Sequence, residues 1–366
     1  MPSPTPLRDS FPVCADSAYL NAGTNGPIPH AAIRAMGGRW EHEAAVGRSG
    51  DGHWRGVADL DASVRARLAR LLGSRPEELV LTRSTTEGIN LVLAGLRWRA
   101  GDEVLTSTEE HPGVLAPLGQ LRRLGVTVRM APLERLPDAV GPRTRLVVCS
   151  HVTWTRGAVA PTERLAGCGV PILYDGAQGP GCVPVDVAKM DCAFYAAAGQ
   201  KWLCGPAGTG VLYAHPDRTA ELGMPWPNYG SLADASRPLL GAPAPGAAGL
   251  SPGEASAPLL AALHASIELL EGHGWTENMD RAATLADRLR SELSGRGRAV
   301  LPGAAPLVGW REPDPEPTVR RLAAAGVVVR AVPGRGALRA SVGTWNDESD
   351  LRRLLGALDE IRADAR

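Results

Sequence analysis

Lysine is almost missing from this chain. Of 39 basic residues in 366, only Lys189 and Lys201 are lysines, and the other 37 are arginines. A genome biased towards arginine codons accounts for the imbalance. It does not account for the setting of Lys201, inside Gly199-Gln200-Lys201-Trp202-Leu203-Cys204-Gly205-Pro206. A lysine amine can lose its proton and condense with an aldehyde, whereas a guanidinium stays charged. The glycines and apolar residues around Lys201 do not look like a solvated face, so covalent chemistry is expected there.

Cysteine is sparse and badly spaced for metal. Cys14, Cys149, Cys168, Cys182, Cys192 and Cys204 form no CxxC pair, and none follows Cys204. That pattern excludes a disulfide frame or zinc site and fits thiols in a reducing compartment, so a cytoplasmic location is expected. Net charge is also lacking: 39 acidic residues balance 39 basic ones. Neither nucleic acid nor an anionic membrane is therefore an expected partner. Residues 1–11 lack a charged start followed by an apolar run, and no stretch approaches membrane-spanning length, so no signal peptide or span is expected.

What is present fits a globular protein, with 44% hydrophobic and 21% charged residues. The length suits a large domain plus a small one. From about 79 to 214, short apolar runs alternate with helical patterns. The runs are 79–82, 103–106, 146–149, 170–174, 193–196 and 210–213, and helices are expected at 86–97, 112–124 and 162–167. Runs this apolar imply a mostly parallel sheet covered on both faces. Ligands of such sheets bind beyond the carboxyl ends of the strands. Residues 215–257 are dense in proline and glycine and read as a long surface connection near the active site. Helices at 258–272 and 276–293 follow, then strands near 298–310 and 326–342, a helix near 316–325 and a last helix at 347–365 with Asn346 as its N-cap. The expected division is an N-terminal arm at 1–20, a large domain at 21–257 and a small α+β domain at 258–366.

Several strand ends carry chemistry. Asp175 ends one apolar run and opens Asp175-Gly176-Ala177-Gln178. It either caps a turn or meets a protonated ring nitrogen, since a buried carboxylate needs a donor or cation. Ser84-Thr85-Thr86-Glu87-Gly88 opens a helix, where hydroxyls and free backbone N–H groups either cap the helix or cradle a phosphate. His111, in Glu110-His111-Pro112-Gly113, either stacks on a cofactor ring or starts a helix.

Together these motifs resemble the class V aminotransferase branch of the fold-type I pyridoxal phosphate (PLP) enzymes, which includes cysteine desulfurases, cysteine/cystine C–S lyases and isopenicillin-N-epimerase-like proteins. The resemblance rests on Asp175-Gly176-Ala177-Gln178, Gly199-Gln200-Lys201-Trp202 and Gly208-Thr209-Gly210-Val211-Leu212-Tyr213, and extends from Tyr19 to Asn346. It implies PLP as cofactor, an amino-acid substrate and a homodimer. By position it implies Lys201 as the residue bound to the cofactor aldehyde, Asp175 as partner of the ring nitrogen, and Gln178 as donor to the phenolic oxygen. Thr85 and Thr86 resemble the phosphate ligands, and His111 the residue against the ring. Arg339 resembles the clamp on the substrate carboxylate, a bidentate task suited to a guanidinium. Asn21 and Thr24 lie on the loop that lines the substrate pocket in that family; Trp154 departs from it, standing where many relatives carry Asn or Ser, and is expected to line a pocket for a larger substrate.

This chain departs from the desulfurase pattern at Ala198, where a serine is expected, and at Gln200, where a histidine is expected. The departure suggests that Gln200 takes a share of phosphate binding. A desulfurase also needs a carboxy-terminal cysteine to take up sulfur, and this chain has none after Cys204. The lysine motif is nearest the C–S lyases. The expected reaction is β-elimination from an L-cysteine S-conjugate or cystine-like substrate, giving a thiol or persulfide, pyruvate and ammonia. The alternatives are transamination or oxidative deamination of an amino-bearing secondary metabolite, amino-acid epimerisation, and a catalytically silent binding module.

Overall fold

A computed structural model describes residues 7–364. Its centre is a seven-stranded sheet of β2 (Leu79–Thr82), β3 (Glu103–Ser107), β4 (Thr127–Ala131), β5 (Thr144–Ser150), β6 (Ile172–Asp175), β7 (Phe194–Ala198) and β8 (Gly210–Ala214). The spatial order is β2-β8-β7-β6-β5-β3-β4. Only β8 runs antiparallel to its neighbours. The alternation of side chains divides each buried strand between two cores. Leu105, Val147, Tyr174 and Tyr195 face one layer, and Val104, Leu146, Leu173 and Phe194 face the other. The expected α/β architecture with a mostly parallel sheet is thus present.

Helices α1 (His30–Val46) and α2 (Gly50–Leu72) precede this sheet. Helix α3 (Thr85–Gly95) follows β2, and its N-cap Ser84 accepts a hydrogen bond from the Glu87 N–H at 3.1 Å. Gly88 lets α3 settle on the sheet, since a Cβ there would lie 2.9 Å from the Cβ of Ala196 on β7. Helix α4 (Pro112–Leu121) begins at His111. Short helices α5 (Leu136–Ala139), α6 (Thr162–Ala166) and α7 (Pro216–Thr219) complete this part. The edge strand β4 was not expected from the sequence, because its partly exposed residues never form an apolar run.

Two long helices, α8 (Ala257–Gly272) and α9 (Trp275–Gly295), lead into the carboxy-terminal elements. These are β9 (Leu307–Arg311), α10 (Pro315–Ala324), β10 (Val327–Val328), β11 (Arg330–Val332), β12 (Ala337–Ser341) and α11 (Glu348–Asp364). Strands β11, β12 and β9 make a small antiparallel sheet. The stretch expected as strand over 298–310 is strand only from Leu307, and 326–342 divides into three pieces. Left-handed glycines Gly334 (φ 68°) and Gly336 (φ 54°) turn the chain between the last two.

The N-cap expectation for α11 was wrong by one residue. Asp347 accepts the N–H groups of Ser349 and Asp350. The Asn346 amide is already engaged, accepting from Gly343 N and donating to the Tyr19 carbonyl and to Asp350.

The amino-terminal residues join the far end of the chain. Strand β1 (Ala18–Tyr19) pairs in parallel with β10. Asn21 then bridges Ser341, and Ser341 N donates to the Leu20 carbonyl at 2.7 Å.

Candidate active site

The carboxyl ends of the parallel strands, the N-terminus of α3 and the small sheet enclose a cavity of about 230 Å³. Strands β6 and β7 are adjacent and parallel. Asp175 is the last residue of β6, and Lys201 lies three residues beyond the end of β7. Both line the cavity. Asp175 Oδ1 also accepts the Ala177 N–H at 2.9 Å, so the turn-capping role and the pocket-facing role coexist. Gly176 is required beside it, because a Cβ there would sit 2.0 Å from the Tyr195 ring.

Burial lowers the Lys201 pKa to about 8, with Asp175 opposing the fall and Arg339 and Arg330 adding to it. An amine so poised loses its proton far more readily than an exposed lysine. The loop behind it is fixed by its backbone: Gly26 N donates to the Gln200 carbonyl at 2.8 Å, and Cys204, at φ 54°, donates its N–H to the Lys201 carbonyl.

The phosphate-like end of the cavity holds Ser84, Thr85 and Thr86 at the start of α3, with Ala198 and Gln200 opposite. His111 lines the wall and caps α4, its Nδ1 accepting the Gly113 N–H at 3.0 Å. Burial lowers its pKa further, aided by Lys201, so the imidazole is neutral. Its ring meets Trp154 edge-on, with centroids 5.1 Å apart. Gln178 also lines the cavity. Trp202 Nε1 donates to its Oε1 at 2.7 Å and its Nε2 donates to the Gly23 carbonyl at 2.8 Å, which leaves one amide hydrogen free.

At the other end Arg339 is 1% exposed. It donates to the Trp154 carbonyl at 2.7 Å and to Thr24 Oγ1 at 2.9 Å. Burial and nearby Arg330 pull its pKa down to about 9, which leaves it charged at neutral pH. Gly23 makes room for it, since a Cβ there would lie 3.0 Å from the guanidinium carbon. Asn21 does not line the cavity; it accepts the Thr24 hydroxyl at 2.8 Å and so orients it from behind. No residue of 215–257 lines the cavity either, so within this subunit the connection is not part of the site.

Two cavity residues escaped the sequence. Arg330 stands opposite Arg339 in the β11–β12 register and donates to Thr24 at 3.1 Å. An arginine in the run Val329-Arg330-Ala331-Val332 is a signal that could have found it. Ser150 ends β5 beside Asp175, where the strand-end rule points.

The cavity is built for a ligand with polar groups. Thr85 Oγ1, Trp154 Nε1, Gln200 Oε1 and Arg339 Nε are buried without a protein partner. Each such atom costs about 1–3 kcal/mol when left unmet. Their owners all line this cavity. Hydroxyls at a helix N-terminus suit a phosphate, Asp175 suits a protonated ring nitrogen, and Lys201 suits an aldehyde. The residues present fit PLP.

Fold and site together define an enzyme of the fold-type I class. The model of the family "Aminotransferase class-V" matches residues 18–307, and the chain belongs to that family. Isopenicillin N epimerase of Streptomyces clavuligerus is 32% identical, covering 93% of this chain and 94% of that protein. A cysteine desulfurase of Cronobacter sakazakii is 33% identical over 62% of this chain and 61% of its own length. Among solved structures, a lysine-to-alanine mutant of C-DES with glycine covalently linked to its PLP cofactor matches with a TM-score of 0.90 at 28% identity, covering 97% of this chain and 99% of that one. The cystine C–S lyase C-DES with its product cysteine persulfide matches at 0.89 and 28%, covering 95% and 98%.

Proposed function

We propose that this chain is a PLP-dependent enzyme that eliminates a sulfur leaving group from the β-carbon of an L-cysteine S-conjugate or cystine-like amino acid. Bound PLP supplies an electron sink for the electrons of a broken Cα bond. Lys201 anchors the cofactor aldehyde, and Asp175 holds the proton on the ring nitrogen. Thr85, Thr86 and the α3 N-terminus take the phosphate with Gln200, the free Gln178 amide hydrogen meets the phenolic oxygen, and His111 lies against the ring. Arg339 grips the substrate carboxylate and Arg330 reinforces the positive end, held by Thr24 and, behind it, Asn21. Trp154 closes the wall between His111 and Arg339.

Lys201 would also serve as the base that takes the Cα proton. The Cβ–S bond then breaks with its electron pair on sulfur, the thiolate leaves, and the three-carbon remainder is hydrolysed to pyruvate and ammonia.

The observation that favours elimination over epimerisation is the single amine base. Lys201 is the one lysine in the cavity, and the neutral His111 has Nδ1 committed to capping α4. Elimination needs one base that takes a proton and releases it, whereas inversion at Cα calls for proton delivery to the opposite face. The full-length likeness to isopenicillin N epimerases favours epimerisation as the second reading.

Two measurements decide the matter. Lys201→Ala should abolish the visible absorbance that PLP acquires on joining a lysine amine, and an unchanged spectrum removes Lys201 from its role. Mass spectrometry after incubation with cystine and S-alkyl cysteines should find pyruvate with a free thiol or persulfide. Substrate recovered as its D-isomer supports epimerisation, and a keto product retaining sulfur supports transamination. Protein that stays colourless with added PLP supports a silent binding module.

We also infer a homodimer. Ile33 and Trp40 on α1, Trp54 on α2, and Tyr229 and Leu239 in the 215–257 connection are large apolar side chains left exposed. A groove of about 1020 Å³ runs between Trp54 and Tyr229. Apolar faces of this kind are covered in a stable assembly.

A further inference from the structure

Beneath the strand ends lies a buried carboxyl that the chemistry above leaves without a task. Glu110 is 2% exposed. It accepts the Ser107 hydroxyl, the Ser150 N–H at 3.0 Å to each oxygen, and the Ser150 hydroxyl at 2.6 Å. All of these donors are neutral. Among the described residues no cation is hydrogen-bonded to it, although a buried carboxylate ordinarily demands one. Ser150 lies directly beside Asp175 in the β5–β6 register and lines the cavity. Glu110 itself immediately precedes His111. One carboxyl therefore ties the loop that carries His111 to the strand end next to Asp175.

We propose that Glu110 is a positioning residue that fixes His111 relative to Asp175 through Ser150 and supplies a second negative charge behind Asp175, strengthening the hold on the ring-nitrogen proton. The proposal rests on the PLP assignment.

The titratable groups around Glu110 are Asp175 on β6, Cys149 on β5, His151 just past its end, and Glu109 and His111 in its own loop. Glu109 is taken by Arg156. His151 is held neutral by burial and hydrogen-bonds the Tyr195 hydroxyl at 2.9 Å. Burial pushes Glu110 up to about 7 against the pull of its serine donors, and the charge of Asp175 adds to the rise. Its charge thus appears over the neutral pH range.

The test compares wild-type protein, Glu110→Gln and Glu110→Asp. Glutamine keeps the shape and the acceptor for Ser107 while removing the charge; aspartate keeps the charge on a shorter stem. After addition of PLP, the visible band is titrated from about pH 5.5 to about pH 8.5. The midpoint should fall by on the order of one pH unit in Glu110→Gln and lie closer to wild type in Glu110→Asp. A second readout needs no cofactor. The folded pKa of Glu110 is raised above its unfolded value, so its stabilising contribution is complete at low pH and is lost as pH rises through about 7. The Tm of wild-type apoprotein should therefore fall relative to Glu110→Gln between about pH 5 and about pH 8.

Identical titration midpoints in wild type and Glu110→Gln overturn the proposal, as does a Tm difference that ignores pH. If Glu110→Gln does not fold, an Asp variant whose midpoint moves as far as that of an Asp175→Asn control overturns it. A wild type that acquires no band at all overturns the PLP assignment, and this proposal with it.

Discussion

The chemistry of Lys201 depends on what surrounds a single nitrogen. Its amine is depressed to about 8, so the reactive neutral form grows as pH climbs through that value. The rate at which apoprotein captures PLP should rise about tenfold per pH unit below pH 8 and level off above it, as read by stopped-flow absorbance. A rate independent of pH over that range would contradict the depressed amine. Asp175 was legible because it ends an apolar run with a charge that needs a partner, Lys201 because a lone lysine stands between an apolar run and a Gly-Pro turn, and Arg339 through the family resemblance. Arg330 left a trace as a charge in an apolar run, but its place opposite Arg339 was not legible, because the turn around Gly334 and Gly336 and the antiparallel register set it. Ser150 and Glu110 were missed for a related reason. Their meaning lies in hydrogen bonds between separate strand ends, and spacing along the chain carries no trace of those.

At the level of elements, the site depends on how closely loops can approach. Gly26 lies against the lysine loop, where a Cβ would fall 2.1 Å from the Lys201 carbonyl oxygen and 2.9 Å from the Cys204 sulfur. Neither the backbone oxygen nor the strained Cys204 can yield cheaply. Gly26→Ala should cost about 1–3 kcal/mol of stability and weaken PLP retention, as measured by thermal melts and by cofactor lost on dialysis. Unchanged melting with full cofactor retention would show that the loop adapts freely. The central strands announce themselves in the sequence because they are buried on both faces. Strand β4 stays hidden because it is a partly exposed edge. The break-up of 326–342 into β10, β11 and β12 stays hidden because glycine conformations and distant pairing partners decide it.

For the whole molecule, the exposed aromatic faces are the basis of the proposed homodimer. Sedimentation equilibrium should return twice the 38.4 kDa chain mass, and Trp54→Asp should shift that value towards the single chain. A monomer at micromolar concentration would remove the dimer. The α/β class and the central strands other than β4 could be read from the sequence, but helices α1 and α2 and the course of the amino-terminal residues could not. Residues 18–21 enter the chain first and pair last, against Val327, Val328 and Ser341. Their loop then sets Gly23 and Thr24 against Arg339, and Gly26 against Lys201. During synthesis the lysine, the aspartate and the helix start that suits a phosphate all leave the ribosome before the strands that complete the pocket. Contacts of such long sequence separation form late because loop closure must come first. A nascent chain stopped short of residue 341 carries Lys201, Asp175 and the α3 N-terminus without the closed cavity, so it should retain PLP less well than the 366-residue chain.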